Sequence, residues 1–356
     1  MKKSLFILAT AAIALASCNN DVKIAENKTL GNQPQEIAFF PLAEKSARMM
    51  APAARAQAVD GTTFPTTMGM QVAAFDVTNK REFFSETAFS YVSSKTYPEE
   101  AEAKNYWTGG KYWPLSPTYI NFLAYADFQG STKTWNWGAD EPASDPTLAL
   151  TMTDNHDAQK DLMYAWGYGE VTQAGGSNTL VFPKYVAMQF KHAQAWISFN
   201  ARAKDAVETN KITLNSITLI GAKYNGVYTV TFTNGRKNAS QSVAGAWSAL
   251  GATQDVVVPG WDTPTAIAYV ASGDGQAVGN GLMIVPDGTA SGDFTKFTIA
   301  YSLDGKDYTY DYTPASTNVE QGNHYIYNIV FDLHEIEITP TVLDWTDQTP
   351  VSVPIF

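Results

Sequence analysis

The chain has 356 residues, 45% of them hydrophobic and 17% charged, so it can bury sizeable cores and is not globally disordered. Its net charge of −11 argues against nucleic acid as a partner and against an anionic membrane surface held by charge alone. The 18 Tyr, 18 Phe and 9 Trp favour β-sheet. The length is enough for a leader and two domains of ordinary size.

The first 17 residues have the pattern of an export signal. Lys2 and Lys3 precede an apolar run, residues 5–16, that is too short to span a bilayer permanently. Leu15-Ala16-Ser17 then precedes Cys18, the single cysteine of the chain, and this resembles the bacterial lipoprotein box. The resemblance implies cleavage before Cys18 and acylation of its sulfur, which would place the protein in the outer membrane through its lipid. The alternative is an ordinary secretory signal with an accidental cysteine.

A tether, a short strand and an exposed loop follow in that order. Residues 18–35 are polar and aperiodic, which is typical of a tether. Ile37 and Phe39 alternate with smaller or polar residues, and Pro41 either ends this strand or confines it to a sheet edge. Arg48 and Arg55 lie in a run rich in Ala, Met and Pro, where proteolysis concentrates.

The remaining chain is predicted to be all-β, with turn signals every eight to twelve residues. Gly109-Gly110 between aromatic residues predicts a hairpin, and residues 127–146 are predicted as a loop. Alternating apolar residues on both sides of Asp304-Gly305 predict the clearest hairpin of the chain. Residues 186–201 are predicted as one long strand, with a domain boundary just before them. The predicted domains are residues 36–184 and 185–356.

Val351, Val353 and Ile355 share one face if residues 349–356 are extended. We call residues 349–356 the donor segment, because such an apolar row can be added as a strand to another sheet. Pro354 bars it from the middle of a sheet unless the missing N–H faces away from a partner. The alternative is that this segment packs on its own domain.

Five pieces of the body, together with the lipoprotein box, resemble one known family in order along nearly the whole chain. They are residues 112–114 (YWP), 121–126 (NFLAYA), 161–165 (DLMYA), 190–193 (FKHA), and 322–330 with Trp345 downstream.

On this ordered set the chain resembles the fimbrillin-like, or Mfa-like, type V pilin lipoproteins of Gram-negative anaerobes. The resemblance implies two tandem antiparallel β-sandwich domains, of transthyretin-like or Greek-key type, and a role as a fimbrial subunit in cell adhesion. It also implies strand exchange with other pilin subunits after an arginine-specific protease removes the N-terminal segment. The loop has two arginines, although one cut is enough. We favour Arg55 over Arg48, because Met49 and Met50, which directly follow Arg48, can still be packed in the fold.

No enzyme signature is found. His156, His192, His324 and His334 are scattered, and no pair has metal-ligand spacing. The sequence has no nucleophile elbow, P-loop or dinucleotide fingerprint. Residues 154–157 offer oxygen ligands but lack the spacing of a calcium loop, so we expect no metal and no cofactor.

Two other functions stay open at this stage. Trp135 and Trp137 would lie on one face of an extended segment and could stack on sugar rings of a host or bacterial ligand, although packing under a loop is favoured. The chain could also be a surface lipoprotein that never polymerises, which would need neither the arginine loop nor the donor segment.

Overall fold

Every regular element that the structure describes is a β-strand, which confirms the predicted all-β class. The computed structural model describes residues 28–31, 33–43, 64–93, 106–126, 130–136, 145–152, 160–175, 177–206, 211–238, 240–261, 263–271, 273–288, 292–332 and 336–344. No helix in these residues is long and apolar enough to cross a membrane. The described strands are β1 (Lys28–Gly31), β2 (Glu36–Ala43), β3 (Met70–Asp76), β4 (Arg81–Val92), β5 (Tyr106–Tyr112), β6 (Thr118–Ala126), β7 (Gly130–Asn136), β8 (Thr147–Met152), β9 (Met163–Gln173), β10 (Leu180–Pro183), β11 (Val186–His192), β12 (Ala195–Ala203), β13 (Ile212–Ala222), β14 (Val227–Thr233), β15 (Ser242–Ser248), β16 (Gln254–Val257), β17 (Thr265–Ala266), β18 (Gln276–Ile284), β19 (Lys296–Leu303), β20 (Lys306–Tyr312), β21 (Asn323–Phe331) and β22 (Ile336–Asp344).

The first half of the chain closes into a ring of strands. The order β9-β11-β2-β5-β4-β3-β6 returns to β9, because β6 pairs with β9 along its whole length. Inside the ring lies a core of large side chains that includes Phe39, Trp113 and Phe122. β10 joins β9 at one end, and β1 pairs with β10 at the outside. The predicted arrangement of two tandem sandwiches is therefore not confirmed, since this half is barrel-like.

In the second half two sheets enclose one core. One sheet has the order β18-β12-β21-β22, and the other has the order β16-β13-β19-β20 with β17 paired to β13. Their inner faces contribute a shared cluster that includes Phe199, Phe297 and Tyr327. The hairpin predicted around Asp304-Gly305 is confirmed, because β19 and β20 pair in register on both sides of that turn.

A hairpin from the second half reaches back onto the first. β14 pairs with β8, and the sheet β15-β14-β8-β7 lies over the outside of the ring. Tyr228, Val230 and Phe232 of β14 pack with Leu123 and Tyr164 of the ring. The two halves thus share a sheet and a core, and the boundary before Val186 stays a prediction.

The expected hairpin at Gly109-Gly110 is wrong, because β5 runs straight through both glycines. The β2–β5 register shifts here, so that residues 108–112 lie opposite residues 36–38. Gly110 has φ +68°, and a Cβ on Gly109 would stand 3.0 Å from the Phe89 ring. These glycines therefore serve a bulge and a close approach rather than a turn.

Two other predicted boundaries differ from the structure. Residues 130–136, inside the predicted loop, form β7, an edge strand that pairs with β8 alone. Its side chains are mostly exposed, so its sequence lacks the apolar alternation of a half-buried strand. The long strand expected over residues 186–201 is divided into β11 and β12, which belong to different sheets.

The link between β11 and β12 is short, and both of its residues, Ala193 and Gln194, take part in main-chain hydrogen bonds. Ala193 N donates to Leu162 O at 2.8 Å, and Gly322 N donates to Gln194 O at 2.9 Å. The indole N–H of Trp247, in the crossing hairpin, donates to Ala193 O at 2.6 Å. These bonds fix the second half against the end of β11.

Two buried histidines lie at this junction. His192 Nδ1 is 2.9 Å from both carboxylate oxygens of Asp161. His324 Nε2 is 2.8 Å from Ser198 Oγ, and its ring stacks on Trp196 with centroids 3.8 Å apart. Burial, together with the nearby His192, lowers the pKa of His324 to about 3.

This lowered pKa predicts that acid weakens the fold. The unfolded chain protonates His324 below about pH 6.5, whereas the folded chain does so only near pH 3, so stability falls as pH drops between those values. At pH 5 the loss from this group is roughly 2 kcal/mol. Urea unfolding at pH 7 and pH 5 should show a smaller loss for His324→Gln than for the unchanged chain. Equal losses in the two proteins would contradict this assignment.

Candidate functional site

The strand β2 occupies an internal place in the ring, although it precedes the rest of the ring in sequence. It lies between β11 and β5, parallel to the first and antiparallel to the second. At Phe39, β2 pairs with both neighbouring strands, with Val186 on β11 and with Trp107 on β5. We call the space that β2 fills the β2 groove.

One face of β2 points into the ring core. Ile37 and Phe39 are both fully buried. The Phe39 ring meets the Phe89 and Phe122 rings edge-on, with centroids 4.8 and 5.1 Å apart. Edge-to-face aromatic pairs add stabilisation beyond the buried area itself, so Phe39 is the principal anchor of the strand.

The other face of β2 is covered by a smaller cluster. Ala38, a small side chain, is fully buried in a cluster with Tyr106. The Phe40 ring lies 6.3 Å from Tyr106 and 5.6 Å from Tyr185 between centroids. Both faces are therefore apolar, which is typical of an internal strand rather than of an edge strand.

The first of the two alternatives for Pro41, that it ends the strand, is wrong, because β2 continues to Ala43. Among the described residues the last ladder partner on β5 faces Phe39, and from Phe40 to Ala43 the described ladder is the one with β11. A residue without an N–H is tolerated where one side of the strand has no partner. The alternative, a local edge position for Pro41, agrees with this pairing.

The two residues that flank the segment after β2, Ala43 and Phe64, lie beside the same residue of β11. Ala43 pairs with Phe190 on β11. Phe64, where the described chain resumes, is buried and has its ring centroid 4.7 Å from that of the same Phe190. The residues that flank residues 44–63 are thus close together, and both lie against Phe190 of the body.

Most other predicted site residues lie outside the described part of the chain. These are Cys18, Arg48, Arg55, Trp137, Val351, Val353 and Ile355, together with the oxygen-rich residues 154–157. Among the described residues no group of three His, Cys, Asp or Glu side chains is placed to hold a metal ion.

Trp135 lies on β7 with its indole half-buried against the cluster beneath the crossing hairpin. Its N–H donates to Glu86 at 3.1 Å, and its ring lies 6.0 Å from that of Tyr125. Burial would raise the pKa of Glu86, but hydrogen bonds from Lys133, Tyr125 and Trp135 lower it below its ordinary value. The carboxylate therefore stays charged and holds Trp135 in place, and sugar stacking by this residue stays a hypothesis.

The family profile that matches this chain is described as fimbrillin-like and covers residues 54–345. The chain belongs to the fimbrillin-like family. Membership indicates a structural protein of fimbriae at the cell surface rather than an enzyme. The match begins after β2 and ends before the donor segment, so neither strand of the proposed exchange lies in the matched region.

Solved structures of the same kind are similar over nearly the whole chain at low identity. A putative cell adhesion protein from Bacteroides uniformis is 15% identical with a TM-score of 0.45, covering 87% of this chain and 99% of its own. A fimbrial protein from Bacteroides vulgatus is 16% identical with a TM-score of 0.40, covering 79% and 94%. The fimbrial anchor protein Mfa2 from Porphyromonas gingivalis is 10% identical with a TM-score of 0.31, covering 88% and 98%. No protein with a curated description matches the chain.

Sequence reasoning on this fimbrillin-like chain identified Ile37 and Phe39 but not the residues that receive them. Phe89, Phe122 and Tyr106 come from three strands that are distant in sequence. Their aromatic character was visible, but period-2 alternation does not show which strand lies opposite.

Replacing Phe39 with Ala should destabilise the uncut protein strongly. Loss of a buried Phe from a packed core costs about 3–5 kcal/mol. Leu42→Ala is the matched control, since Leu42 lies on the same strand with 37% of its surface exposed. Urea unfolding should give a much lower midpoint for Phe39→Ala than for Leu42→Ala, and similar midpoints would show that β2 contributes little.

Proposed function

We propose that this protein is a structural subunit of a cell-surface fimbria, assembled when a strand from a neighbouring subunit replaces β2. The observation that carries the proposal is that β2 is an internal strand with Ile37, Ala38 and Phe39 fully buried, and that a cut between residues 44 and 63 would separate it from the body. Family membership supports the fimbrial role and assembly with other pilin subunits, of this chain or another.

Loss of β2 would leave an adhesive groove. Main-chain groups of residues 186–190 on β11 and of residues 107–112 on β5 would lose their partners. The Phe89 and Phe122 rings would lose the Phe39 ring that lies against them. Unpaired strand edges beside exposed apolar surface are an unstable state that favours the addition of another strand.

The donor segment has the chemistry to fill that groove. Val351, Val353 and Ile355 offer three aliphatic side chains on one face. At ~1.5–3 kcal/mol each, their burial would supply on the order of 5–9 kcal/mol before ordering costs. Head-to-tail exchange between copies is a heterologous contact, which yields an open filament when the rotation does not close a ring.

A cut after Arg48 or Arg55 would separate β2 from the body, and we propose an arginine-specific protease for this step. Both arginines lie in the segment between Ala43, which pairs with Phe190, and Phe64, which packs against Phe190. Because Phe64 is anchored beside Phe190, the body would keep its first packed residue after the cut. Arg55 stays our preferred site.

The same cut would separate the body from its lipid. Cys18, the proposed acylated residue after the 17-residue signal, lies ahead of both arginines, and residues 18–35 would tether it to β2. An uncut subunit would stay on the outer membrane and an assembled subunit would have left it. An uncut subunit at the base of a filament would keep its anchor.

The domain assignment also belongs to this proposal. We propose residues 36–184 and 185–356 as tandem units, the first accepting a strand in the β2 groove and the second presenting the donor segment. The presence of two cores supports two units, and both β11, which lines the core of the first unit, and the crossing β14–β15 hairpin join the second unit to the first.

Lipidation at Cys18 is directly testable. Metabolic labelling with a fatty-acid probe should mark the unchanged protein, because a thiol is the acyl acceptor, and should spare Cys18→Ala. Equal labelling of both proteins would remove the anchor from the proposal, while an unlabelled wild type would favour a simple secretory signal.

The donor role is tested by changing Val351, Val353 and Ile355 together to Ser. The variant should fold and be cut as before but should form no filaments, because its donor face is no longer apolar. Ser352→Ala is the matched control on the opposite face and should assemble normally. Electron microscopy of surface fibres gives the readout, and filaments of normal length from the triple variant would show that polymerisation uses another surface.

A further inference from the structure

We propose that the β2 groove accepts the donor segment of a second copy in the same direction as β2, with Ser352 in the place of Ala38. This direction excludes the subunit's own donor segment. The inference rests on the proposed strand exchange and adds its register, its direction and the reason why exchange joins two subunits.

The register follows from the small, fully buried site that Ala38 occupies in the groove. Ala38 is fully buried against Tyr106, whereas its neighbours Ile37 and Phe39 fill larger sites. The donor segment has one small residue between two apolar ones, which is Ser352 between Val351 and Val353. Ser352 in the Ala38 place therefore puts both valines into the ring core.

Burial then decides between the two directions. In the direction of β2, Ile355 takes the buried Pro41 place and Phe356 takes the place of Leu42, which is 37% exposed. In the reverse direction the polar Thr349 takes the Pro41 place, and Phe356 falls at the exposed Pro34. The direction of β2 buries more apolar surface and is favoured on that ground.

Pro354 is compatible with this placement. It takes the Phe40 place, where the native strand pairs with Ala187 of β11 and lies one residue beyond the last described β5 pair. The next native residue is itself a proline, Pro41. At most one main-chain hydrogen bond is lost, against three buried aliphatic side chains gained.

The topology places the subunit's own donor segment at the wrong end of its groove. Ala43, the last residue of β2, pairs with Phe190 near the end of β11. The chain then passes through Ala193 and Gln194 into β12. Asp344, the last residue of β22, pairs with Asn323 beside the start of β12. The segment after Asp344 therefore begins on the Ala43 side of the groove.

The chain is too short to reach the other end. In the favoured register Pro350 takes the Glu36 place, six residues after Asp344, and six extended residues span at most ~20–22 Å. From Ala43 to Glu36 the strand alone measures roughly 23 Å, and Asp344 lies beyond Ala43, across the β11–β12 link. A subunit can insert its own segment only in the reverse, less buried direction, so the favoured direction requires a second copy.

Disulfide trapping tests both the direction and the partner. The chain has one cysteine, Cys18, which a cut after either arginine removes, so engineered thiols would be the only ones in the mature body. Gln189 is exposed and pairs with Leu42 on β2, which makes Gln189→Cys a benign acceptor. A chain with Gln189→Cys alone is co-expressed with a chain carrying Phe356→Cys alone, and fimbriae are oxidised and run on non-reducing gels.

The proposal predicts a covalent dimer for this pair. The matched control replaces Phe356→Cys by Gln348→Cys, which would face Gln189→Cys only in the reverse direction and should give little dimer. A dominant dimer with Gln348→Cys would overturn the direction while leaving strand exchange intact. An intrachain disulfide in a single chain carrying Gln189→Cys and Phe356→Cys would show self-insertion in the direction of β2 and overturn the exclusion. Normal filaments with no disulfide from any pair would overturn the proposed exchange itself.

Discussion

The insertion of β2 between β11 and β5 is the contact on which the structure depends. A closed ring of strands leaves no unpaired edge as long as every member is present. Here one internal member comes from the N-terminal side of residues 44–63, and this connection is its covalent tie to the ring. Removing β2 would open two edges and uncover an aromatic core in one step. The stability of the uncut fold and the affinity of the cut fold for a new strand are therefore set by the same contacts.

The second half of the chain determines in which direction a subunit's own donor segment could enter the groove that β2 leaves. The link between β11 and β12 is held by hydrogen bonds from both halves, and the β14–β15 hairpin shares a core with the ring. These contacts fix where Asp344 lies relative to the Ala43 end of the groove. If the link were flexible, a subunit could insert its own donor segment into its own groove in either direction. Because the link is fixed, that segment begins at the Ala43 end of the groove, which excludes the direction of β2.

Local patterns predicted the elements better than their partners. Alternation around Ile37 and Phe39, and on both sides of Asp304-Gly305, was enough to place one strand and one hairpin, because period-2 burial is a local signal. The ring closure between β6 and β9 was not predictable, since pairing of distant strands leaves no mark in either sequence. The hairpin predicted at Gly109-Gly110 was wrong, because glycine is favourable at a β-bulge as well as in a turn. The polar edge strand β7 resembled a loop because few of its side chains are buried.

The most direct test of the account is native mass spectrometry of protein cut between residues 44 and 63 before assembly. The account predicts that the N-terminal fragment stays bound after cleavage, held by β2 in its groove. Adding a peptide of residues 349–356 should then release the fragment and leave one peptide bound to each body. Two results would contradict the account. In the first, the fragment leaves on cleavage while the body stays folded without any added strand. In the second, the peptide binds but the fragment stays in place.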